Sequence, residues 1–406
     1  MPTTNFIPIY EVIPPAQGHY KTINKLSDLS WKVPKDGFEK SSALKIKKSL
    51  DSKIETQTLY FTDLDSGVSG FIQVLYSHVL GGFYRGFQLN FKIFSHKKDV
   101  ASDFEIWETY KLNDMEFVKS ASKSEHYVYL SAKGKKTSIA FTKNPKKKTN
   151  KKYYANLDID VEIPKKDLVI HLKAYLGDGF MISPSGCSYY LDKEINYKED
   201  SLANIKRSGR TSDKYMRHLF MPNGYVEGHI EYTKGDDLLE INLVKVPVVY
   251  IDAVQGLLPN KAARMWNFLC FKSKSYTVTL MEFITTEEYD SVTVSIWSIS
   301  ENDKLTSIGS QIDNDRIVRY KEVDVDKETG WEYPTTVKFD FMNGDKMKIK
   351  NMNMVNRFDI LGELPSAVRK AASSIANIKP YLYQYCQEAV FRGEKGTSIV
   401  EATFIS

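Results

Sequence analysis

Period-two alternation constrains this chain more than any other feature. Within Val248–Ile299, Tyr276, Val278 and Leu280 alternate with Thr277 and Thr279, and Val292, Val294 and Ile296 alternate with Thr293 and Ser295. β-Branched and aromatic residues at every second position read as strands with one buried face. Gly256, Leu258-Pro259-Asn260, Ser273-Lys274-Ser275 and Glu287-Glu288 supply turn chemistry between the runs. Connections this short join sequential antiparallel strands, so the stretch is predicted to be a β-meander. Ala155–Ile163 shows the pattern most cleanly, with Ala155, Leu157, Ile159, Val161 and Ile163 against Asn156, Asp158, Asp160 and Glu162.

The order of the meander occurs twice. Thr58–Thr62, Asp65-Ser66-Gly67, Gly70–Tyr76, Gly81-Gly82 and Phe87–Ile93 run strand, turn, strand, loop, strand. Met265–Leu269, Tyr276–Phe283 and Val292–Ile299 repeat that order roughly two hundred residues later, a period too long for a solenoid. Two similar domains are expected, and 406 residues suit two. Residues 1–50, with Pro2, Pro8, Pro14 and Pro15, read as an extended lead-in docked through Trp31 and Pro34. Residues 51–222 then form the first domain and 223–406 the second, with the boundary at Met221-Pro222-Asn223-Gly224. Tyr190–Lys214 is polar and reads as a loop. One helix is expected late, where Leu364, Val368, Ala371, Ile375 and Ile378 recur at three or four residues between Pro365 and Pro380. About nine or ten strands per half allow an antiparallel sheet to close into a barrel, with a sandwich as the competing arrangement. The chain is thus read as all-β, two tandem antiparallel barrels with one late C-terminal helix.

The sequence is 42% hydrophobic and 13% aromatic, enough for two cores, and has no run of eighteen apolar residues. The first twenty residues lack a basic region followed by an apolar one, so no signal peptide is expected. Cys187, Cys270 and Cys386 are far apart and odd in number; they are expected to stay reduced and bind no metal. The net charge of +5 does not argue for nucleic acid. No Gly-x-Ser-x-Gly elbow, P-loop or Gly-x-Gly-x-x-Gly is present, and the histidines, including His78, His171, His218 and His229, lack a His-x-x-x-His pair. No catalytic residue, metal or cofactor is expected.

Two groups of residues invite a functional reading. Arg264, Trp266, Asn267 and Phe268 place two hydrogen-bonding side chains among aromatic ones, as a lipid headgroup in an apolar cavity requires. The bland reading packs Trp266 at a barrel end with Arg264 across its face. Lys133–Lys152 carries nine lysines and no acid, and Lys146, Lys147, Lys148, Lys151 and Lys152 cluster beyond the Asn144-Pro145 turn. This is either a solvated hairpin loop or a patch for anionic membrane surfaces.

Several long stretches resemble one known family. Thr58–Val79, Arg217–Tyr232 and Ala253–Phe283, together with Lys379–Gln384 and Glu401–Phe404, are similar to the fungal survival factor 1 family. The resemblance runs from Asp28 to Ser406. It implies tandem lipocalin-like barrels, a non-enzymatic intracellular role in binding or transferring ceramide-type or other apolar ligands, and a link to survival of oxidative stress. The founding member looks as though it begins with an amphipathic membrane-contacting helix. Here prolines occupy that stretch, which marks a paralogue and shifts any membrane contact to the lysines. The expected partner is an apolar small molecule or lipid, with weak peripheral contact to anionic membranes. A monomer that binds no nucleic acid is expected, located in the cytoplasm, at internal membrane surfaces or in the nucleus. Two competing functions are a lyase or hydratase acting through Asp252 or Glu282 near Arg264, and an interaction protein with filled barrels.

Overall fold

The computed structural model describes residues 4–9, 20–23, 26–32, 52–79, 84–95, 106–121, 128–143, 153, 155–183, 185–195, 214–312, 316–360, 362 and 379–405. The described chain is all-β. Its first strands are β1 (Thr4–Ile7), β2 (Tyr20–Ile23), β3 (Lys53–Thr62), β4 (Val68–Val79), β5 (Tyr84–Ser95), β6 (Ile106–Leu112), β7 (Glu116–Ala121) and β8 (Val128–Lys133). Next come β9 (Thr137–Lys143), β10 (Ala155–Ile163), β11 (Leu168–Leu176), β12 (Gly179–Ile182), β13 (Cys187–Ile195), β14 (Tyr215–Met221), β15 (Gly224–Lys234) and β16 (Asp237–Gln255). A single turn of helix, α1 (Pro259–Ala262), leads to β17 (Met265–Ser273), β18 (Tyr276–Ile284), β19 (Thr293–Glu301), β20 (Lys304–Ile312) and β21 (Val318–Val325). The last are β22 (Glu332–Asp340), β23 (Lys346–Ile349), β24 (Met354–Asp359), β25 (Tyr381–Phe391) and β26 (Glu394–Phe404).

Strands β1 to β16 form one 16-stranded sheet with the main path β6-β5-β4-β3-β16-β15-β11-β10-β9-β8-β7. The rest form a seven-stranded sheet, β20-β19-β18-β17-β26-β25-β24, and a three-stranded sheet, β21-β22-β23. The repeated meanders are thus β3-β4-β5 and β17-β18-β19, each an antiparallel run of neighbours. Each path has two ends, β6 and β7 in the first sheet and β20 and β24 in the second.

Three expectations are corrected. Pro222-Asn223-Gly224 does not separate two sheets. Strand β16 is 19 residues long, and β14 and β15 lie end to end along it, Met221 opposite Tyr250 and Tyr225 opposite Pro247. A proline without an N–H interrupts the ladder there without ending the strand direction. The change of sheet falls later, between Gln255 and Met265, at α1. Consequently Val248–Ile299 is not one meander: its first residues pair with β3 and its later ones form β17 to β19. Finally, Tyr190–Lys214 is not all loop, because β13 runs to Ile195. The expected late helix, Leu364 to Ile378, lies outside the described residues, as do Pro34 and the five clustered lysines.

Among the described residues, strand alternation distributes the apolar residues into three large cores and a small cluster of Ile7, Tyr189 and Leu191. Leu59, Ile72, Leu157, Ile170, Val248 and Tyr250 fill the concave side of the first sheet. Trp31 caps this core edge-on to Phe87 and Phe117, at 5.7 Å from each ring. Leu269, Phe271, Leu280, Trp297, Val337 and Phe339 lie between the seven- and three-stranded sheets. The third core is a seam where the other faces of the two large sheets meet, with Tyr60, Phe71 and Val249 against Phe268, Phe283 and Ile296. The seam explains why both faces of the meander are buried. Thr277 and Thr279 are 1% and 0% exposed, and Thr279 Oγ1 lies 2.7 Å from Ser298 Oγ, satisfying hydroxyls expected at the surface. Gly309 is obligatory in packing terms: a Cβ there, opposite Trp297, would stand 2.3 Å from the indole.

Candidate functional site

The seven- and three-stranded sheets diverge along β21 and leave a cleft of about 800 Å³. Its walls are Met265, Ile284 and Phe404 from the ends of β17, β18 and β26, facing Val318, Tyr320 and Val323 of β21. Arg264, Arg316, Arg319 and Lys321 bring positive charge to it, against a single carboxylate, Glu332. The accessible lining is more polar than apolar, so the cleft differs from the mainly apolar pockets that most small molecules occupy and favours a ligand with a polar or charged part.

Local structure fixes each wall. Ala263 turns the chain out of α1 in extended geometry, and Arg264 is then pinned by its backbone: its N–H donates to Ile284 O at 2.9 Å and its carbonyl accepts from Ile405 N at 2.9 Å. The opposite wall ends in the turn Asp326–Trp331. Gly330 sits there at φ +81° and donates to Asp326 O at 2.7 Å, a conformation glycine adopts without strain. The Asp326 carboxylate accepts from the amides of Glu328 and Thr329, from Tyr383 Oη at 2.6 Å and from Arg357. Burial pushes this carboxyl up, but Arg357, Tyr383 and the two amides together hold it well below the ordinary range. The turn carries Trp331, whose Nε1 donates to Lys379 O at 2.7 Å and whose ring stacks on Phe404 at 5.3 Å.

A buried carboxylate lies behind β21. Glu282 is 0% exposed; its Oε2 accepts from Ser295 Oγ at 2.8 Å, Ile317 N at 2.9 Å and Val318 N at 3.2 Å. Its Oε1 lies 3.6 Å from Arg316 Nε. Burial raises the Glu282 carboxyl above its ordinary value, with Ser295, Arg316 and the amides pulling against that shift. Asn267, opposite Glu282 in the ladder, is buried, and its Oδ1 accepts from Tyr320 Oη at 2.5 Å. Its Nδ2 has no acceptor among the described residues.

The structure therefore divides the four residues singled out in the sequence. Arg264 lines the cleft and Asn267 supports it through Tyr320. Trp266 and Phe268 point to the other face of β17, into the seam, where Phe268 meets Tyr60 at 4.8 Å. Arg264 does not lie across Trp266; its side chain has no ion pair, hydrogen bond or ring contact among the described residues. Sequence reasoning missed Arg316, Arg319, Lys321 and Trp331. The sequence carries one signal for them, the basic spacing Arg316, Arg319, Lys321.

The carboxylates weighed for catalysis are committed elsewhere. Asp252 is buried in the first sheet's core and accepts from Arg217 Nη1 at 2.8 Å, and Glu282 is held as described. His171 and His229 meet across a ladder at 5.1 Å, His171 bonded to Asp160, but no group of three metal-ligating side chains occurs among the described residues. Cys270 and Cys386 are buried in the seam, which pushes both thiols up to about 12.

A family model described as the Svf1 family matches residues 7–406. The SVF1-like protein YDR222W of Saccharomyces cerevisiae is 43% identical over 417 residues, spanning 96% of this chain and 94% of its own. The ceramide-binding protein SVF1 of Debaryomyces hansenii is 31% identical over 395 residues, spanning 94% of this chain and 88% of its own. Among solved structures, CghA superposes with a TM-score of 0.56 at 8% identity, covering 87% of this chain and 88% of that one. A putative AttH from Nitrosomonas europaea superposes with a TM-score of 0.50 at 9% identity, covering 97% and 99%. At such identities these two matches speak for the fold alone.

Proposed function

This chain belongs to the Svf1 family, and from that premise we propose that it is a non-enzymatic lipid-binding protein whose ceramide-type or other apolar ligand lies in the cleft along β21. The observation that carries this reading is the cleft itself, where Met265, Tyr320, Val323 and Trp331 offer apolar surface beside four cationic side chains. Relatives at 30% and 31% identity named as ceramide-binding proteins support the ligand class. Sheltering the ligand's chains from water supplies the driving force, about 25 cal/mol per Å² of apolar surface covered. The commitment of Glu282 and Asp252 to structural partners favours binding over catalysis. The finer architecture belongs to the same proposal: two lipocalin-like halves, one of strands β1 to β16 and one of β17 to β26, acting as a monomer in the cytoplasm.

The test is mass spectrometry of small molecules that copurify with the native chain and with Val323→Trp. Val323 is exposed and lines the cleft, so a tryptophan there fills the space without disturbing a core. The wild type is expected to carry a long-chain lipid and the variant to lose most of it. Equal lipid in both would place the ligand elsewhere.

We also propose that any membrane contact is reversible and runs through Lys146, Lys147, Lys148, Lys151 and Lys152. Each lysine near an anionic leaflet contributes about 1 kcal/mol, an attraction screened over a Debye length of about 8 Å at physiological salt. Cosedimentation with anionic liposomes is expected at low salt and not at high salt. Changing the five lysines to serine should abolish it, and unchanged binding of that variant would end the idea.

A further inference from the structure

We infer that the cleft along β21 takes an amphiphile whose head carries a phosphate ester, in preference to the same lipid with a neutral head. The inference rests on the reading of this cleft as the lipid site. The charge of the lining is the reason. Arg264 and Lys321 have no hydrogen bond or ion pair from their side chains among the described residues. Arg316 is only loosely compensated, through Nε at 3.6 Å from Glu282, while Arg319 alternates with Val318 and Tyr320 and pairs at the same distance with Asp340 on the outer face of its sheet. Asp340 is shared, since it also binds Lys338 Nζ at 2.6 Å. Among the described residues Arg316 Nη2 finds only the Met265 thioether, at 3.9 Å, a poor acceptor.

A lipid seated here covers these cations. With a hydroxyl and amide head they lose water and gain no counter-charge, which is costly. A phosphate head supplies acceptor oxygens that match the planar fork of arginine, and charge-assisted bonds of that kind are the strong ones. Met265, Val323 and Trp331, which keep exposed apolar surface beside the cations, argue for an attached apolar body rather than a free anion. Tyr320 is already bonded to Asn267, so the preference falls to the cations.

The experiment is competition against a fluorescent lipid probe on the full chain, using three competitors: inorganic phosphate, a short-chain ceramide, and that ceramide bearing a 1-phosphate. The phosphorylated ceramide is expected to compete about tenfold or more better than the neutral one, one or two charge-assisted bonds' worth. In the double variant Arg264→Gln, Lys321→Gln the ratio should collapse toward one; both residues are exposed, and an unchanged melting temperature checks the fold. Equal competition by the two ceramides would overturn the headgroup inference while leaving the lipid site standing. A preference that survives in the double variant would overturn it too, as would inorganic phosphate competing as well as the phosphorylated lipid. Failure of both ceramides to compete would remove the lipid site and the inference with it.

Discussion

Replacing Glu282 with alanine is expected to lower the unfolding free energy by about 3–5 kcal/mol, because several buried donors lose their acceptor at once. The carboxylate is fully buried and serves four groups: Ser295, the amides of Ile317 and Val318, and Arg316. Alanine leaves the two amides and the hydroxyl without an acceptor, and each buried orphan costs about 1–3 kcal/mol. Arg316→Ala should cost far less, at most about 1 kcal/mol, because a partly exposed ion pair contributes little; its side chain is 40% exposed. Burial raises the Glu282 carboxyl. The folded chain therefore holds this proton more tightly than the unfolded one, and its contribution is lost as pH rises above the ordinary carboxylate value. The deficit of the alanine variant is expected to shrink over that rise. Because the two amides open β21, lipid should also bind more weakly to Glu282→Ala. Denaturant titrations of both variants at several pH values provide the check. Similar small losses for Glu282→Ala and Arg316→Ala would mean that the carboxylate does not hold β21 in place.

The strands were legible because period-two alternation is local. Ala155–Ile163 is β10 residue for residue, and the repeat announced two similar meanders. The sheet boundary was not legible, because a Pro-Asn-Gly break in one strand looks the same whether or not the partner strand continues past it. Here β16 continues, and only pairing partners far along the chain reveal it. The candidate site was half legible. Arg264 was found, but alternation itself forbids Trp266, Asn267 and Phe268 from facing one ligand: adjacent strand residues point to opposite faces. Asn267 looks toward Tyr320, and its two neighbours look into the seam. The rest of the cleft comes from the ends of β17, β18 and β26 meeting one edge of β21, a juxtaposition that no local window contains. Polar residues on the meander suggested a solvent face. The seam buries them instead, by pairing hydroxyl with hydroxyl.

The seam leads to the second large effect, a loss of about 3–5 kcal/mol for Phe268→Ala, as found when a buried phenylalanine leaves a cavity in a packed interior. Phe268 is 3% exposed and tilts against Tyr60 at 4.8 Å, and Tyr60 in turn meets Phe71 at 5.5 Å. Tyr60 also ties the sheets by its hydroxyl, 3.3 Å from Glu401 Oε1, a carboxylate that Gln384 Nε2 approaches at 2.6 Å. Burial raises the Glu401 carboxyl, so the cluster is polar but poor in water. Strands β3 and β17 belong to different sheets and share no ladder, so these side chains carry the connection. A double-mutant cycle isolates it. Tyr60→Ala and Phe268→Ala together should cost less than the sum of their single effects, with a coupling of about 0.5–3 kcal/mol. Calorimetry gives a second reading: a single transition in the wild type is expected to separate into two in the double variant, as each half loses its support from the other. Strict additivity, with one unchanged transition, would show that the two sheets are held by contacts other than this aromatic pair.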